Sequence, residues 1–455
     1  MLPPITVQPV QFKPRALVIS LAIAATTLFF PIFPDPAANR ALAILIVAAL
    51  LWMTEAVPLS MTALLIPVLA LLMGVLPAAE AFSQFGNPVI FLFMGGFVLA
   101  GALSLHSLDQ VLAQKLIAIS KGNFYKSAIL MMFSTSLLAC WISNTSSTAM
   151  MIPLGLGLLG LSNKKTISAE SKFLMLGIAY SANIGGVITM IATPPNAIGA
   201  AILKLSFLEW LTYSIPVFLI TFPIMIVVLT LAFKPDRKLS IEKVVVAHIE
   251  IKHKKRLLSI FLLTVVLWMS EGLLSPLLNI ESGFSAIVAL LAIFLLFVCR
   301  VMSWDDILAS IRWEILLLFG GGLTLGLLLD RSGLGVLLIK HVMDLGETLP
   351  LFVFLWLIII FSIILTEFMS NTASAALILP LLYTLAVQSN LNPLILVLPA
   401  TIAASFGFML PVGTPPNAMV FSLGFIPQKQ MMKVGLILNF VFSVILALLF
   451  YLIFR

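Results

Sequence analysis

The sequence predicts an all-α polytopic membrane protein, with about 11 transmembrane helices plus two re-entrant helical hairpins. Apolar residues make up 61% of its 455 residues and charged residues only 9%, whereas a soluble domain carries about 25% charged residues. Several uncharged runs reach the length of about 20 residues that a helix needs to cross a bilayer. Inside these runs, two groups of polar residues recur in the same order in both halves of the chain.

The repeated groups are a polar triplet and a proline pair. Ser-Asn-Thr at 143–145 returns at 370–372, which is 227 positions later. Thr-Pro-Pro-Asn at 193–196 returns at 414–417, which is 221 positions later. An internal duplication of this kind in a membrane protein predicts a transporter made of two structural repeats, with its binding site between them.

The domain prediction follows the duplication. An extra span at 1–40 precedes repeat 1 (41–233), a basic linker (234–256) and repeat 2 (257–455). Each repeat is expected to contain a scaffold part, 41–126 or 257–347, and a transport part, 127–233 or 348–455. The transport parts contain the predicted hairpins, 127–161 and 350–388, and the predicted broken helices, 173–203 and 393–424.

The distribution of positive charge predicts the orientation of the chain. If each hairpin enters and leaves on one side of the membrane, the two repeats are inverted, and 20 of the 25 Lys and Arg residues face the cytoplasm. If the hairpins crossed fully, the eight positive charges of the linker would face outward, against the positive-inside rule. We therefore expect a multi-pass protein of the inner (plasma) membrane with a cytoplasmic N-terminus and an external C-terminus. The loops account for the net charge of +7, so no nucleic-acid partner is expected.

The prolines and the triplets predict a binding site. A proline donates no backbone hydrogen bond, so each proline pair frees carbonyl groups inside the membrane, where they are tolerated only beside a protein-buried or wet cavity. A hairpin tip brings a helix C-terminus, which attracts cations, close to a helix N-terminus, which attracts anions. Two such tips in matching positions favour a ligand-binding role over simple helix packing.

The charge-free surroundings of the site predict a co-bound cation. No charged residue occurs in 127–163, 173–203 or 368–428. An anion held there must be neutralised by amide dipoles and a small hard cation with oxygen ligands, and Na⁺ fits this description. Glu367, close to the second triplet, is expected to organise the second hairpin. The four His residues lack metal-ligand spacing, and hydrolase motifs are absent, so neither an enzyme nor an organic cofactor is expected.

The run from Trp141 to Pro153, together with the second triplet and both Thr-Pro-Pro-Asn breaks, resembles the divalent anion/Na⁺ symporter family of di- and tricarboxylate transporters. The resemblance implies a homodimer that works by an elevator mechanism. It implies Na⁺ sites formed by Ser143, Asn144, Ala192, Asn196, Thr366, Ser370, Asn371, Gly413 and Asn417. It implies that the substrate carboxylates are bound by Asn144, Thr145, Asn371, Thr372, Thr193, Pro194, Thr414 and Pro415.

The residues depart from the family pattern in the first half. Ala192 stands where the second half has Gly413, and a backbone carbonyl ligand would survive that change. Ala139 stands where the second half has Thr366, so the first Na⁺ site is expected to lose a side-chain oxygen. The leading hypothesis is Na⁺-coupled symport of a C4-dicarboxylate, such as succinate, malate or fumarate, into the cell. A Na⁺-independent dicarboxylate or citrate/succinate exchanger, a sulfate/Na⁺ symporter and an anion channel stay open as alternatives. The sequence does not rank the substrates or fix the Na⁺ stoichiometry.

Overall fold

The computed structural model describes residues 12–108, 111, 115, 119, 122–160, 167–240, 253–280, 282–337 and 349–454. The regular elements of this part are helices, and the β-type pairing described is an isolated bridge between Asn123 and Ser240. The all-α prediction is therefore confirmed. The charged residues at 109–126 and 330–347 predict segments that lie along the membrane surface. Most of both segments, and half of the linker 234–256, lie outside the described residues.

The helices of the first half are α1 (Pro14–Phe29), α2 (Pro36–Thr54), α3 (Leu59–Leu72), α4 (Ala78–Ser83), α5 (Pro88–Leu105), α6 (Phe124–Ala139), α7 (Asn144–Leu158), α8 (Ala169–Gly185), α9 (Pro194–Leu203) and α10 (Phe207–Phe233). Those of the second half are α11 (Lys254–Met269), α12 (Glu271–Leu277), α13 (Phe284–Val298), α14 (Trp304–Ser310), α15 (Trp313–Arg331), α16 (Leu351–Phe368), α17 (Asn371–Gln388), α18 (Pro393–Ala403), α19 (Pro415–Ser422) and α20 (Gln428–Ile453).

Several of these helices are long and apolar enough to cross a membrane. In the described residues there are seven such segments: α2, the continuous stretch from α4 to α5, α10, α15, α16, α17 and α20. The pair α11–α12, which bends by 75°, could form an eighth. Shorter apolar helices are α1, α3, α6, α13 and α18. A polytopic membrane protein is confirmed, while the number of about 11 spans stays a prediction.

Two pairs of helices approach each other closely through glycine. Gly95 on α5 lies against α13, and a Cβ atom at this position would come within 2.5 Å of the Ala289 Cβ. Gly321 on α15 lies against Ala63 of α3 in the same way. Small residues permit this approach, and membrane helices use it because dispersion contacts replace the hydrophobic effect there. These contacts join helices of the first half to helices of the second.

The helices that carry the repeated motifs also pack across the two halves. Helix α9 of the first half packs against α17 and α18, and helix α19 of the second half packs against α7 and α8. The two sets of contacts correspond, because α9, α7 and α8 stand at the same repeat positions as α19, α17 and α18. Each half therefore places one proline-led helix against the motif-bearing helices of the other half.

Candidate functional site

Four helix N-termini carry the repeated motifs. Helix α7 starts after Ser143, whose hydroxyl accepts the Ser146 N–H at 3.2 Å, and α17 starts after Ser370, whose hydroxyl accepts the Ala373 N–H at 3.1 Å. Serine is a favoured N-cap because it satisfies one of the free N–H groups of the first turn. Helices α9 and α19 start with proline, which tolerates the first helical position because its missing N–H has no helical partner there.

The irregular stretches between the paired helices are longer than the break that the proline pair alone predicts. Helix α8 ends at Gly185 and α9 begins at Pro194, so the chain is irregular from 186 to 193. In the second half the irregular stretch runs from 404 to 414. The proline pair therefore starts the second helix of each pair, and eight residues in the first half and eleven in the second separate it from the end of the preceding helix. Side chains form hydrogen bonds with several backbone groups of both stretches.

We call Ser143, Asn144, Gly186, Thr193 and Asn196 the first half-site. Its residues meet at Gly186, because a Cβ atom there would overlap with the Asn144 side chain and would lie 2.8 Å from the Thr193 Cγ2. The Asn196 amide nitrogen donates to the Gly186 and Thr189 carbonyl oxygens, both at 2.8 Å. Two helix N-termini, those of α7 and α9, thus approach each other at a position that has no side chain.

Three buried oxygen atoms of the first half-site have no hydrogen-bond partner within the described part of the chain. They are the side-chain oxygens of Asn144, Thr193 and Asn196. A buried polar atom without a partner is costly, and in native proteins such an atom calls for a bound water, ion or ligand. Neutral amide and hydroxyl oxygens are suitable ligands for a small hard cation. The first half-site can therefore coordinate such a cation.

We call Thr366, Ser370, Asn371, Thr414 and Asn417 the second half-site. The Asn417 amide nitrogen donates to the Gly407 carbonyl oxygen at 2.8 Å and to the Leu410 carbonyl oxygen at 3.2 Å. These carbonyls lie 221 positions after those that Asn196 bonds, so corresponding residues make corresponding bonds. The two Thr-Pro-Pro-Asn motifs therefore bridge their helix breaks in the same way.

The side-chain oxygens of the second half-site differ, because protein groups already bond them. The Thr366 hydroxyl lies 2.7 Å from both the Asn371 side-chain oxygen and the Ala404 carbonyl oxygen, and its one proton is shared between them. The amide nitrogen of Asn183, on α8 of the first half, donates to the Thr414 hydroxyl at 3.1 Å and to the Asn417 side-chain oxygen at 3.4 Å. The second half-site thus offers fewer free oxygens.

Glu367 is the charged side chain that borders the second half-site. Its carboxylate accepts the Met409 and Leu410 backbone N–H groups at 2.7 and 2.9 Å, and the Asn439 amide at 2.7 Å. It is only 3% exposed. These bonds tie the end of α16 to the irregular stretch between α18 and α19 and to α20. The organising role expected for Glu367 agrees with these contacts.

The remaining predicted site residues lie at the edges of the two half-sites. Thr145, Thr372 and Pro194 are half-buried, Pro415 is exposed, and Ala192 is buried. Gly413 lies against Glu367, whose carboxylate oxygen would be 3.0 Å from a Cβ atom there. Between the two Ser-Asn-Thr triplets the structure describes no direct hydrogen bond.

The sequence did not single out Asn183 or Gly186. Asn183 does not recur, because its repeat counterpart, Ala404, is apolar, and the repeat pattern marks only residues that are present in both halves. Gly186 does recur, as Gly407. The recurrence of a glycine ten residues before the asparagine of each Thr-Pro-Pro-Asn motif could have indicated from the sequence that this position belongs to the site.

A family profile described as citrate transporter matches residues 49–399. The chain belongs to the citrate transporter family. It is 40% identical over 425 residues to an uncharacterised transporter of Haemophilus influenzae, covering 92% of each chain. It is 34% identical over 470 residues to the sodium-dependent dicarboxylate transporter SdcS of Staphylococcus saprophyticus, covering 95% of this chain and 89% of the relative.

A similar fold occurs in a solved structure. The transporter YdaH of Alcanivorax borkumensis, whose crystal structure was described as having an unusual topology, superposes with a TM-score of 0.56 at 14% identity, covering 84% of this chain and 87% of that one. This likeness concerns the fold alone. Membership in the citrate transporter family confirms the resemblance to the di- and tricarboxylate transporters, and it confirms that the chain is a transporter and not an enzyme.

Proposed function

We propose that this citrate transporter family member is a Na⁺-coupled symporter that takes C4-dicarboxylates such as succinate, malate or fumarate into the cell. The observation that carries the proposal is the first half-site, where three buried neutral oxygens, those of Asn144, Thr193 and Asn196, have no partner within the described residues. A cation bound there would satisfy the oxygens of Asn144 and Asn196 and supply the positive charge that an anionic substrate needs, and the Thr193 hydroxyl would face that substrate.

The second part of the proposal concerns the substrate. The half-buried first turns of α7 and α17 present free backbone N–H groups, and such groups attract carboxylates. Asn144 and Thr145 would bind one carboxylate, and Asn371 and Thr372 the other, with Thr193, Pro194, Thr414 and Pro415 beside them. Since neither motif run contains Lys or Arg, a dianion would bind weakly without cations. Coupling to Na⁺ follows from this electrostatic requirement.

The proposed Na⁺ ligands differ between the halves. In the first half they are Ser143, Asn144, Asn196 and the Ala192 carbonyl. In the second half they are Thr366, Ser370, Asn371, Asn417 and the Gly413 carbonyl. The names of relatives in the genus Staphylococcus, sodium-dependent dicarboxylate transporters, support both the ion and the substrate class.

The proposed transport cycle is an elevator in a homodimer of the inner membrane. The parts 127–233 and 348–455 would move against the parts 41–126 and 257–347, with inverted repeats, a cytoplasmic N-terminus and an external C-terminus. The positive-inside distribution of charge supports the orientation. The reciprocal packing of α9 and α19 across the halves supports a two-fold arrangement.

Uptake of radiolabelled succinate into proteoliposomes, with and without an inward Na⁺ gradient, tests the proposal. We expect uptake to depend on Na⁺ and to saturate. Equal rates in Na⁺ and K⁺ would contradict symport and favour an exchanger. Competition by sulfate but not by succinate would reassign the substrate, and non-saturable flux without trans-stimulation would indicate a channel. Citrate is the second candidate substrate, because the matching profile is that of citrate transporters.

A further inference from the structure

Asn183 connects helix α8 of the first half to the second half-site. It is fully buried on α8, and its amide nitrogen crosses to the second half to donate to Thr414 and Asn417. Its own side-chain oxygen has no partner in the described residues. A residue of the first half thus determines the bonding of two oxygens in the second half.

The reverse connection is missing. The residue 221 positions after Asn183 is Ala404, which has no side-chain donor. The atoms that a donor at this position would reach, by correspondence, are the Thr193 hydroxyl and the Asn196 side-chain oxygen. Both are unpartnered. The difference in bonding between the Asn196 and Asn417 side-chain oxygens therefore follows from one pair of corresponding positions, 183 and 404. The Thr414 hydroxyl in addition accepts the backbone N–H of Asn417 at 3.3 Å.

We propose that Asn183 and Ala404 determine which half-site binds the cation more strongly. This inference rests on the proposed Na⁺ coupling and adds the residues that distribute cation affinity between the halves. The Asn183 amide donates an N–H to the side-chain oxygen of Asn417 and occupies one lone pair of that oxygen. The Asn417 oxygen is therefore a weaker cation ligand. Ala404 leaves Thr193 and Asn196 without such a donor, so the first half-site is the stronger cation site.

The sign of each substitution follows from the same electrostatics. Asn183→Ala removes the N–H from Thr414 and Asn417 and is expected to strengthen cation binding in the second half. Ala404→Asn adds a donor facing Thr193 and Asn196 and is expected to weaken cation binding in the first half. Two substitutions at corresponding positions should therefore change Na⁺ affinity in opposite directions.

Na⁺-dependent thermal stabilisation of the purified full-length protein tests this directly, since a cation that binds the folded state raises the unfolding temperature. We expect the Na⁺ concentration for half-maximal stabilisation to rise about tenfold in Ala404→Asn, and to fall about twofold to threefold in Asn183→Ala. The double variant, which moves the donor from one half to the other, should lie closer to the wild type than Ala404→Asn does.

Ser181→Ala is the matched control, because Ser181 is equally buried on α8 but contacts Met225 rather than either half-site. Ser181→Ala should leave the Na⁺ concentration for half-maximal stabilisation unchanged. If Ala404→Asn fails to fold, the decrease in Asn183→Ala still decides the sign. The inference would be overturned if the Na⁺ concentration for half-maximal stabilisation shifted in the same direction in both variants, or if it did not change in Asn183→Ala. If the wild type responds equally to Na⁺, K⁺ and choline, it is the proposed Na⁺ coupling that fails.

Discussion

The two half-sites share a backbone plan and differ in the bonding of their oxygens. In both, the serine of the triplet is the N-cap of a helix that begins at the triplet's asparagine. The asparagine of the Thr-Pro-Pro-Asn motif bonds two carbonyls of the preceding break. In the first half-site the side-chain oxygens of Asn144 and Asn196 are unpartnered. In the second, Thr366 and Asn183 bond the corresponding oxygens of Asn371 and Asn417.

A duplicated site can therefore keep the same backbone arrangement in both halves while its side-chain oxygens differ in hydrogen bonding. The bonds that fix the breaks recur, because both halves must satisfy the same freed carbonyls. The bonds to the asparagine side-chain oxygens do not recur, because Ala139 and Ala404 provide no donor where Thr366 and Asn183 do. The first half-site is consequently suited to an ion that needs oxygen ligands, and the second is fixed by its own protein contacts.

The largest difference between the half-sites is expected for substitutions of two corresponding glycines, Gly186 and Gly407. Gly186→Ala would place a methyl group on the Asn144 side chain, whereas at Gly407 the nearest atom to a new Cβ is the Thr414 Cγ2 at 3.4 Å, an ordinary contact. Because a displacement of about 1 Å in a binding arrangement can cost about a hundredfold, we expect Gly186→Ala to lower the initial uptake rate about a hundredfold. Gly407→Ala should retain most of it.

Uptake in proteoliposomes, normalised to the amount of reconstituted protein, measures this difference, and thermal unfolding checks that both variants fold. Equal losses of uptake rate in the two variants would show that both half-sites accommodate an added methyl group equally well. The first half-site would then not be the more closely packed of the two.

The next effect compares the bonds that tie each hairpin tip to its broken helix. Glu367→Gln replaces a carboxylate oxygen with an amide group facing N–H donors. Hydrogen bonds to a charged group are worth about 1.5–3 kcal/mol, so we expect the free energy of unfolding to fall by about 2–3 kcal/mol. At the corresponding position of the first half, the Thr189 hydroxyl bonds the Cys140 carbonyl. Thr189→Val should cost about 1 kcal/mol, as expected for one neutral bond.

Denaturant or thermal unfolding in detergent measures both losses. The control is Ser389→Ala, which removes a hydroxyl that donates to the Leu385 carbonyl of the helix that Ser389 caps. A loss in Glu367→Gln no greater than that in Thr189→Val would mean that the carboxylate adds nothing beyond a neutral acceptor.

Much of the architecture could be predicted from the sequence because its signals are local. Long apolar runs indicate helices in a membrane, and the triplets and proline pairs mark helix starts that the structure places at Asn144, Asn371, Pro194 and Pro415. The length of each break could not be predicted. It depends on side chains from elsewhere, such as Trp210 and Ser214, which bond the Val187 and Ile188 carbonyls.

The relative character of the two half-sites could not be predicted either. Ala139, at the position of Thr366, led to the prediction that the first Na⁺ site loses a side-chain oxygen, and this stays a prediction. The structure shows, however, that the corresponding Thr366 hydroxyl is used to bond Asn371, so its presence removes a free oxygen rather than adding one. A count of polar residues does not reveal which of them bond each other.

The smallest effect compares the aromatic residues that precede the triplets. The Trp141 ring stacks on Phe207 and meets Phe261 of α11 edge-on, with centroids 6.2 and 4.8 Å apart. Phe368, its counterpart, is 73% exposed and has no ring partner among the described residues. Since aromatic pairs contribute about 0.5–1.5 kcal/mol each beyond burial, Trp141→Ala should cost about 1–3 kcal/mol of unfolding free energy.

Phe368→Ala should change the unfolding free energy by less than about 0.5 kcal/mol, as exposed substitutions usually do. Thermal unfolding in detergent compares the two variants. Because Phe261 lies in the proposed scaffold part and Trp141 in the proposed moving part, Trp141→Ala also removes a contact that an elevator must break in each cycle. We therefore expect it to lower stability without an equal loss of uptake. A matching loss in Phe368→Ala would instead mean that the second tip is held by a partner outside this chain.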